Sequence, residues 1–280
     1  MALEVTPIRR PLAVVTPPKR WEVPQLREAW SERALLRLLV ARDLGARYAQ
    51  AWLGVAWIVL KPLATMLILW VVFGRAAGVA HDGIPYPLFS AAGLVIWLFF
   101  ASVVGDSVDA LLGNASLLTK VYVPRILLPL SILLSRLVDL GVMLLLLVGV
   151  WAYYGEQVGW SVLALPAILA ALVILAAACA VATSAVALRY RDVAFVVPIG
   201  LQLLLFASPV IYASSMLPRG VRDALEFDPL TGLMGGLRAS LADGSLPYAS
   251  LGIAVAEIVI ACLVSAWVFA RLERSFADTV

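Results

Sequence analysis

Charge is scarce in this chain of 280 residues: 14% are Asp, Glu, Lys or Arg, and 63% are hydrophobic. An ordinary soluble domain is about a quarter charged and about half apolar. The surplus apolar surface has to face lipid, which leaves one membrane bundle and little chain for a second folded domain. Histidine is nearly absent. The single His81, beside Asp82 in a connection between apolar windows, reads as a surface residue, and without a Cys/His cluster there is no zinc centre to expect. Cysteine is limited to Cys179 and Cys262, both inside apolar runs, where they read as small buried hydrophobes rather than as a disulfide framework. Lysine is limited to Lys19, Lys61 and Lys120, which follow Pro18, Leu60 and Thr119. The phosphate-cradling loop of an ATPase needs G-x-x-x-x-G-K-[ST], and none of the three lysines sits in a Gly-Lys pair. We therefore expect no catalytic residues, no metal and no cofactor bound by this chain. The net charge of +3 is modest, and we expect no nucleic-acid partner.

What is present is length of apolar run. A span needs about 20 mostly apolar residues to cross about 30 Å of hydrocarbon. Six windows qualify: 51–73, 88–112, 126–153, 160–188, 193–213 and 249–270. The fourth and fifth carry no charge, and the fifth contains Pro198 and Pro209. A spanning segment must satisfy its own backbone hydrogen bonds, and the runs are too long and continuous for the alternating strands of a barrel. The expected fold class is all-α integral membrane, with six transmembrane helices per protomer. An amphipathic interface helix is expected at 23–48, and short re-entrant helices between the fifth and sixth spans. Residues 49–273 form the transmembrane domain.

The connections orient it. Fifteen lysines and arginines fall on one side: nine before the first window, then Lys120, Arg125, Arg189, Arg191, Arg271 and Arg274. Four fall on the other: Arg75, Arg219, Arg222 and Arg238. The positive-inside rule then predicts a multi-pass protein of the cytoplasmic membrane with both termini in the cytoplasm. Residues 1–22 are Pro-rich, show no secretory signal and read as a mobile cytoplasmic tail. Residues 274–280 form a short tail on the same side.

Three pieces do not span. In the helix at 23–48, Leu26, Trp30, Ala34 and Leu38 share one face by their i, i+4 spacing. That face suits either the membrane interface, apolar side down, or packing on the ends of the spans. The connection 113–125 exposes Leu117, Leu118, Val121 and Tyr122, and Asn114 or Ser116 is placed to cap a short helix there. An apolar knob of this kind is a docking surface unless it tucks back into the bundle. Residues 209–247 hold two weakly amphipathic stretches, about 219–227 and 231–242. Both are too short and too charged to span, which suggests the lining or lid of an outer mouth.

Charges inside the spans are costly and tend to pair or to line cavities. Arg136 and Asp139 stand i, i+3 in the third window and can pair along one face; Lys61 and Glu257 are scattered elsewhere. Asp106 and Asp109 lie near the cytoplasmic end of the second window, where solvent or a basic partner accounts for them. Trp57, Trp97, Phe99 and Phe100 are candidate channel-lining aromatics, because aromatic faces stack on sugar rings. The same residues also serve as interfacial anchors.

Several motifs in order resemble the permease subunit of ABC exporters for lipid-linked polysaccharide, the O-antigen, capsule and teichoic-acid group. They are R-D-L-G-A-R-Y at 42–48, L-G-V-A-W at 53–57 with Pro62, I-P-Y-P at 84–87, and Gly93 through Trp97. The sequence N-A-S-L-L-T-K-V-Y-V-P-R at 114–125 is the most specific stretch; Y-R-D at 190–192 and S-P-V-I-Y at 208–212 complete the set. The resemblance implies a homodimer in the bacterial inner membrane, served by two separate ABC ATPase subunits that hold ATP and Mg2+. It makes Asn114, Leu117, Leu118, Lys120, Val121, Tyr122, Pro124 and Arg125 a coupling helix that docks on the ATPase. It makes Ser208, Pro209 and Tyr212 part of an outer gate. Arg42, Arg47 and Tyr48, at the inner interface among membrane lipids, become candidates to receive a lipid diphosphate, since arginine forks match phosphate oxygens. The transported species would be a lipid-linked polysaccharide. A type-2 ABC permease for a small drug or lipid is the alternative with a similar fold.

Overall fold

The computed structural model describes residues 31–48, 56–76, 78, 83–114, 123–156, 159–242 and 244–273. Among them the regular structure is helical throughout, with no strand. In chain order the helices are α1 (Arg33–Tyr48), α2 (Ala56–Leu69, running on through a π-helical turn to Ala76), α3 (Tyr86–Ser107), the single turn α4 (Asp109–Leu112) and α5 (Leu127–Tyr154). Next come α6 (Leu165–Arg189, entered through the 3-10 turn Trp160–Ala164), α7 (Val193–Ala207), α8 (Arg219–Leu225), α9 (Pro229–Leu241) and α10 (Tyr248–Glu273).

Five of these helices are long and apolar enough to cross a membrane: Ala56–Ala76, Tyr86–Ser107, Leu127–Tyr154, Trp160–Arg189 and Tyr248–Leu272. α7 is apolar but shorter, with 15 residues. At 1.5 Å per residue it reaches only about 22 Å. The fifth window was expected to continue to 213, and the chain leaves the helix at Ser208 instead. Pro209 is the cause: the residue before a proline is pushed out of the helical region, and Ser208 is extended (φ −74°, ψ 147°). The two short helices expected near 219 and 231 are present as α8 and α9.

α3 is the central helix. It packs against α2, α5, α6, α7 and α9, and Leu88, Phe89, Ile96, Phe99 and Val103 are fully buried in the main apolar cluster. α7, by contrast, buries no residue, and α2 buries only Ile58 and Leu69. A helix apolar on all sides with little burial has lipid or another chain as its neighbour.

A second, smaller cluster joins Leu39 of α1, Ala110 and Leu111 of α4, Val123, Leu127 and Leu128 at the start of α5, Leu188 at the end of α6 and Phe269 near the end of α10. α1 and the last turns of α10 therefore meet at one end of the bundle.

α1 packs on the bundle through a face other than the apolar stripe of Ala34 and Leu38. Leu35, Leu39, Asp43 and Arg47, four residues apart, turn toward the bundle, while Ala34 and Leu38 are exposed; Leu38 keeps 67% of its surface. Leu26 and Trp30 lie outside the described residues. α1 thus has two usable faces, one on the bundle and an apolar one left open.

Candidate functional site

The charged residues at the α1 end form one network. Arg136 of α5 donates from Nε to the Asp106 carboxylate of α3 at 2.8 Å, with a second, shorter bond from Nη2 to the same oxygen. Its Nη1 donates to Asp139 at 2.7 Å. The i, i+3 pair expected within α5 is formed, and Asp106 has the basic partner anticipated for it. Arg47 joins from α1: its Nη2 donates to the Ser135 hydroxyl at 2.6 Å, and it stands 3.5 Å from Asp139 and 3.9 Å from Asp106. One turn earlier, the Ser131 hydroxyl donates to Asp43 at 3.0 Å. The pairs 43 with 131 and 47 with 135 have the same separation, 88 residues, so α1 and the first half of α5 run side by side in the same direction. Asp139 is 12% exposed and Arg136 19%, against 37% for Asp106, so the Arg136–Asp139 pair is the one largely shielded from water, where Coulomb attraction is strong but desolvation is costly.

Arg42 faces the other way along α1. It donates to the Asn114 amide oxygen at 2.9 Å and to Asp43 at 3.1 Å. Asn114 in turn donates to the Ala110 carbonyl at 2.8 Å. It therefore closes the C-terminal end of α4, on the near side of the connection. On the far side, Pro124 is buried and its carbonyl accepts the Leu127 N–H at 2.9 Å. Arg125 is half-buried beside it. Leu117, Leu118, Lys120, Val121 and Tyr122, together with Ser116, lie outside the described residues, as does the Tyr48 side chain.

The opposite end is held differently. Ser208, Pro209 and Val210 are buried. The Ser208 hydroxyl donates to Asp228 at 2.8 Å. Asp228 also caps α9, accepting the N–H groups of Leu230 and Thr231 at 3.2 Å each, with Pro229 at the first helical position. The Tyr86 phenol donates to the Ile211 carbonyl at 2.9 Å. Arg238 of α9 donates to the carbonyls of Phe89 and Val210 at 3.3 and 3.2 Å and lies 3.5 Å over the Phe89 ring. The Tyr212 phenol closes the end of α7 on the carbonyls of Phe206 and Ala207, at 2.8 and 2.9 Å; burial pushes it above its ordinary pKa, so it stays a donor. Gly93 makes this approach possible, since a Cβ there would lie 2.7 Å from Arg238 and 3.1 Å from the Val210 oxygen.

Of the four aromatics expected along a pathway, only Trp57 presents an open face, at 52% exposure. Trp97, Phe99 and Phe100 are at most 7% exposed and belong to the protomer core. Packing within the bundle claims them, and they offer no surface to a passing polymer. Trp57 lines a cleft of about 210 Å3 with Arg47, Lys61, Ser102, Arg136 and Asp139. Sequence reasoning missed Asp43, Ser131 and Ser135. The signal was there, because Ser131, Ser135 and Asp139 recur every fourth residue along one face of an apolar helix. Among the described residues, no group of three or more His, Cys, Asp or Glu is arranged to hold a metal ion.

Residues 34–242 match the model of the ABC-2 type transporter membrane family. The O-antigen export system permease protein RfbA of Myxococcus xanthus is 30% identical over 259 residues, covering 91% of this chain and 98% of that protein. Its namesake in Klebsiella pneumoniae is 28% identical, covering 87% and 94%. The polysialic acid transport protein KpsM of Escherichia coli is 26% identical over the same shares. With its bundle of apolar helices, this chain belongs to the ABC-2 type transporter membrane family.

Proposed function

We propose that this chain is the membrane-spanning subunit of an ATP-driven exporter of lipid-linked polysaccharide, working as a homodimer with two separate ABC ATPase subunits in the bacterial inner membrane. The relatives named for O-antigen export and polysialic acid transport, matched over nearly their whole length, support the substrate class. The missing phosphate-binding loop supports a separate ATPase. The basic residues of the connections support a cytoplasmic α1 end.

One observation carries the mechanism. The connection 115–122 is anchored on both sides in the end cluster, by Ala110 and Leu111 before it and Val123 after it. Asn114 ties its start to Arg42 of α1. A push on that connection by an ATPase subunit passes into α3 and α5 through the cluster, and into α1 through Arg42. α7 and α2, which bury so little within one protomer, supply the face for a second copy, with Trp57 open toward the pathway. Ser208, Pro209 and Tyr212 close the outer side.

The test is Leu118→Ala combined with Tyr122→Ala in a strain whose surface polysaccharide depends on this chain. We expect less ATPase subunit on the membrane, and polysaccharide retained inside. Wild-type levels of both would remove the docking assignment. Stimulation of the purified complex by small amphiphiles but not by lipid-linked glycan would remove the substrate class.

A further inference from the structure

The motif I-P-Y-P at 84–87 opens α3. Pro85 precedes the helix, extended at φ −55° and ψ 134°, and Pro87 stands in its first turn. Tyr86, between them, is buried. Its phenol holds the Ile211 carbonyl. Its ring stacks on Phe89 with centroids 6.1 Å apart, and Phe89 lies under Arg238, which holds the Val210 carbonyl. On its α2 side the ring meets Gly74. A Cβ there would lie 2.8 Å from Tyr86 Cδ1 and 3.1 Å from its Cγ, so the contact has no room for a methyl.

The winding of α2 decides which residue lies on that ring. α2 is α-helical through Leu69 and π-helical from Trp70 to Ala76. Leu69 is buried in the same cluster as Tyr86. In a π-helix the residue above Leu69 is Gly74, five on; in an α-helix it is Phe73, four on. Arg75 lies 5.7 Å over the Trp70 ring, at the same spacing of five. π-helical segments are mostly single turns and are frequent at functional sites; this one runs for seven residues. Little packing opposes a change of winding, since the α-helical part of α2 buries only Ile58 and Leu69 and the π-helical part buries nothing.

We propose that the π-helical end of α2 is a latch on the outer closure. Wound as a π-helix, it lays Gly74 on Tyr86 and leaves the phenol on Ile211. Rewound as an α-helix, it drives Phe73 against the ring, where not even a methyl fits. The ring then moves, the phenol leaves Ile211, and the segment 208–212 is released. Tyr86 is thus a positioning residue that passes the state of α2 to the closure, and the seat yields only when α2 rewinds. The latch rests on the reading of 208–212 as the outer closure, and of ATP as the driver, proposed above.

The experiment uses the full-length chain with its ATPase subunit in spheroplasts, carrying Cys179→Ala, Cys262→Ala and Ala213→Cys. A membrane-impermeant maleimide added outside reads the closure, because Ala213, two residues past Ile211, is fully buried. We expect slow labelling at rest, raised roughly tenfold by Tyr86→Phe, as for one lost hydrogen bond. Gly74→Ala should raise it about as much, and the double variant no further. Energised cells should label faster than ATP-depleted ones, and Phe73→Ala should abolish that rise, because nothing then strikes the ring. Multiplying effects of Tyr86→Phe and Gly74→Ala overturn the latch. So does Tyr86→Phe labelling at the wild-type rate, or an ATP-driven rise that Phe73→Ala leaves intact. Absence of any ATP-driven rise in a wild-type complex that exports also overturns it. Should Gly74→Ala not fold, the Tyr86→Phe and Phe73→Ala arms decide. Failure of the wild-type complex to export glycan would overturn the proposed function and leave the resting labelling ratios as they are.

Discussion

The two ends of the bundle solve the same problem with different chemistry. At the α1 end, helices that are themselves regular are tied together by charged side chains: Arg47, Arg136, Asp106 and Asp139. At the other end, the chain leaves the helix at Ser208, and its backbone carbonyls are taken up by side-chain donors from α3 and α9. Irregular backbone at membrane depth survives only where such partners exist. The difference separates a movable joint from a fixed seat. Ion pairs between intact helices can slide and re-form as the helices shift, with the two carboxylates shared between two arginines. A carbonyl held by a phenol, or by an arginine stacked on Phe89, has a single geometry. On the coupling proposal, the α1 end, next to the connection that carries it, is the end suited to transmit motion, and the opposite end the one suited to resist it.

The largest expected effect breaks the charged end. Arg136→Ala leaves the shielded Asp139 and the more exposed Asp106 to Arg47 alone, and thermal unfolding in detergent should show a loss of about 2 kcal/mol, below that of a fully buried pair. A double-mutant cycle between Arg136→Gln and Asp106→Asn should return a coupling of about 1–3 kcal/mol; additive losses would dissolve the network. Next comes the fixed seat. Gly93→Ala puts a methyl against Arg238 and the Val210 carbonyl, and should cost about 2 kcal/mol by overpacking. Faster proteolysis between α7 and α9 should accompany it. Asp228→Ala removes the α9 cap and the Ser208 contact together, with an expected loss of about 1 kcal/mol. The smallest effect sharpens the contrast. Arg42→Ala touches an exposed pair and should change stability by less than about 0.5 kcal/mol, yet lower export per ATP hydrolysed by the complex. If export per ATP is unchanged, the Arg42–Asn114 bond transmits nothing.

The spans were legible because lipid imposes length and polarity on every helix that crosses it, and the five long helices fall in windows expected to cross. The proline punctuation was legible only in part: Pro198 is tolerated inside α7, whereas Pro209 ends the fifth helix before the expected boundary. The site was less legible. Arg136 and Asp139 announced themselves as charges in a greasy run, but Ser135, which binds Arg47, and Ser131, which binds Asp43, look like ordinary small residues in a membrane helix. The stripe of Ala34 and Leu38 was legible, but the packed face of Leu39, Asp43 and Arg47 was not, because an apolar stripe does not say which other face meets protein. Trp97, Phe99 and Phe100 were expected on a pathway and are in the core, since aromatic pattern gives no indication of which neighbour covers a ring.

The sequence by itself determined that this chain crosses a membrane as helices, that no phosphate-binding loop of the ATPase type is present in it, and that its basic residues gather in one set of connections. Those properties depend on composition and local spacing, which the bilayer reads residue by residue. Tertiary structure alone decided that Arg47 reaches Ser135, that Arg238 needs Gly93, and that Trp57 and Lys61 line one cleft with Arg47, Arg136 and Asp139. Each of these joins residues far apart in the chain, and such contacts are set by how helices pack rather than by any periodicity within one of them.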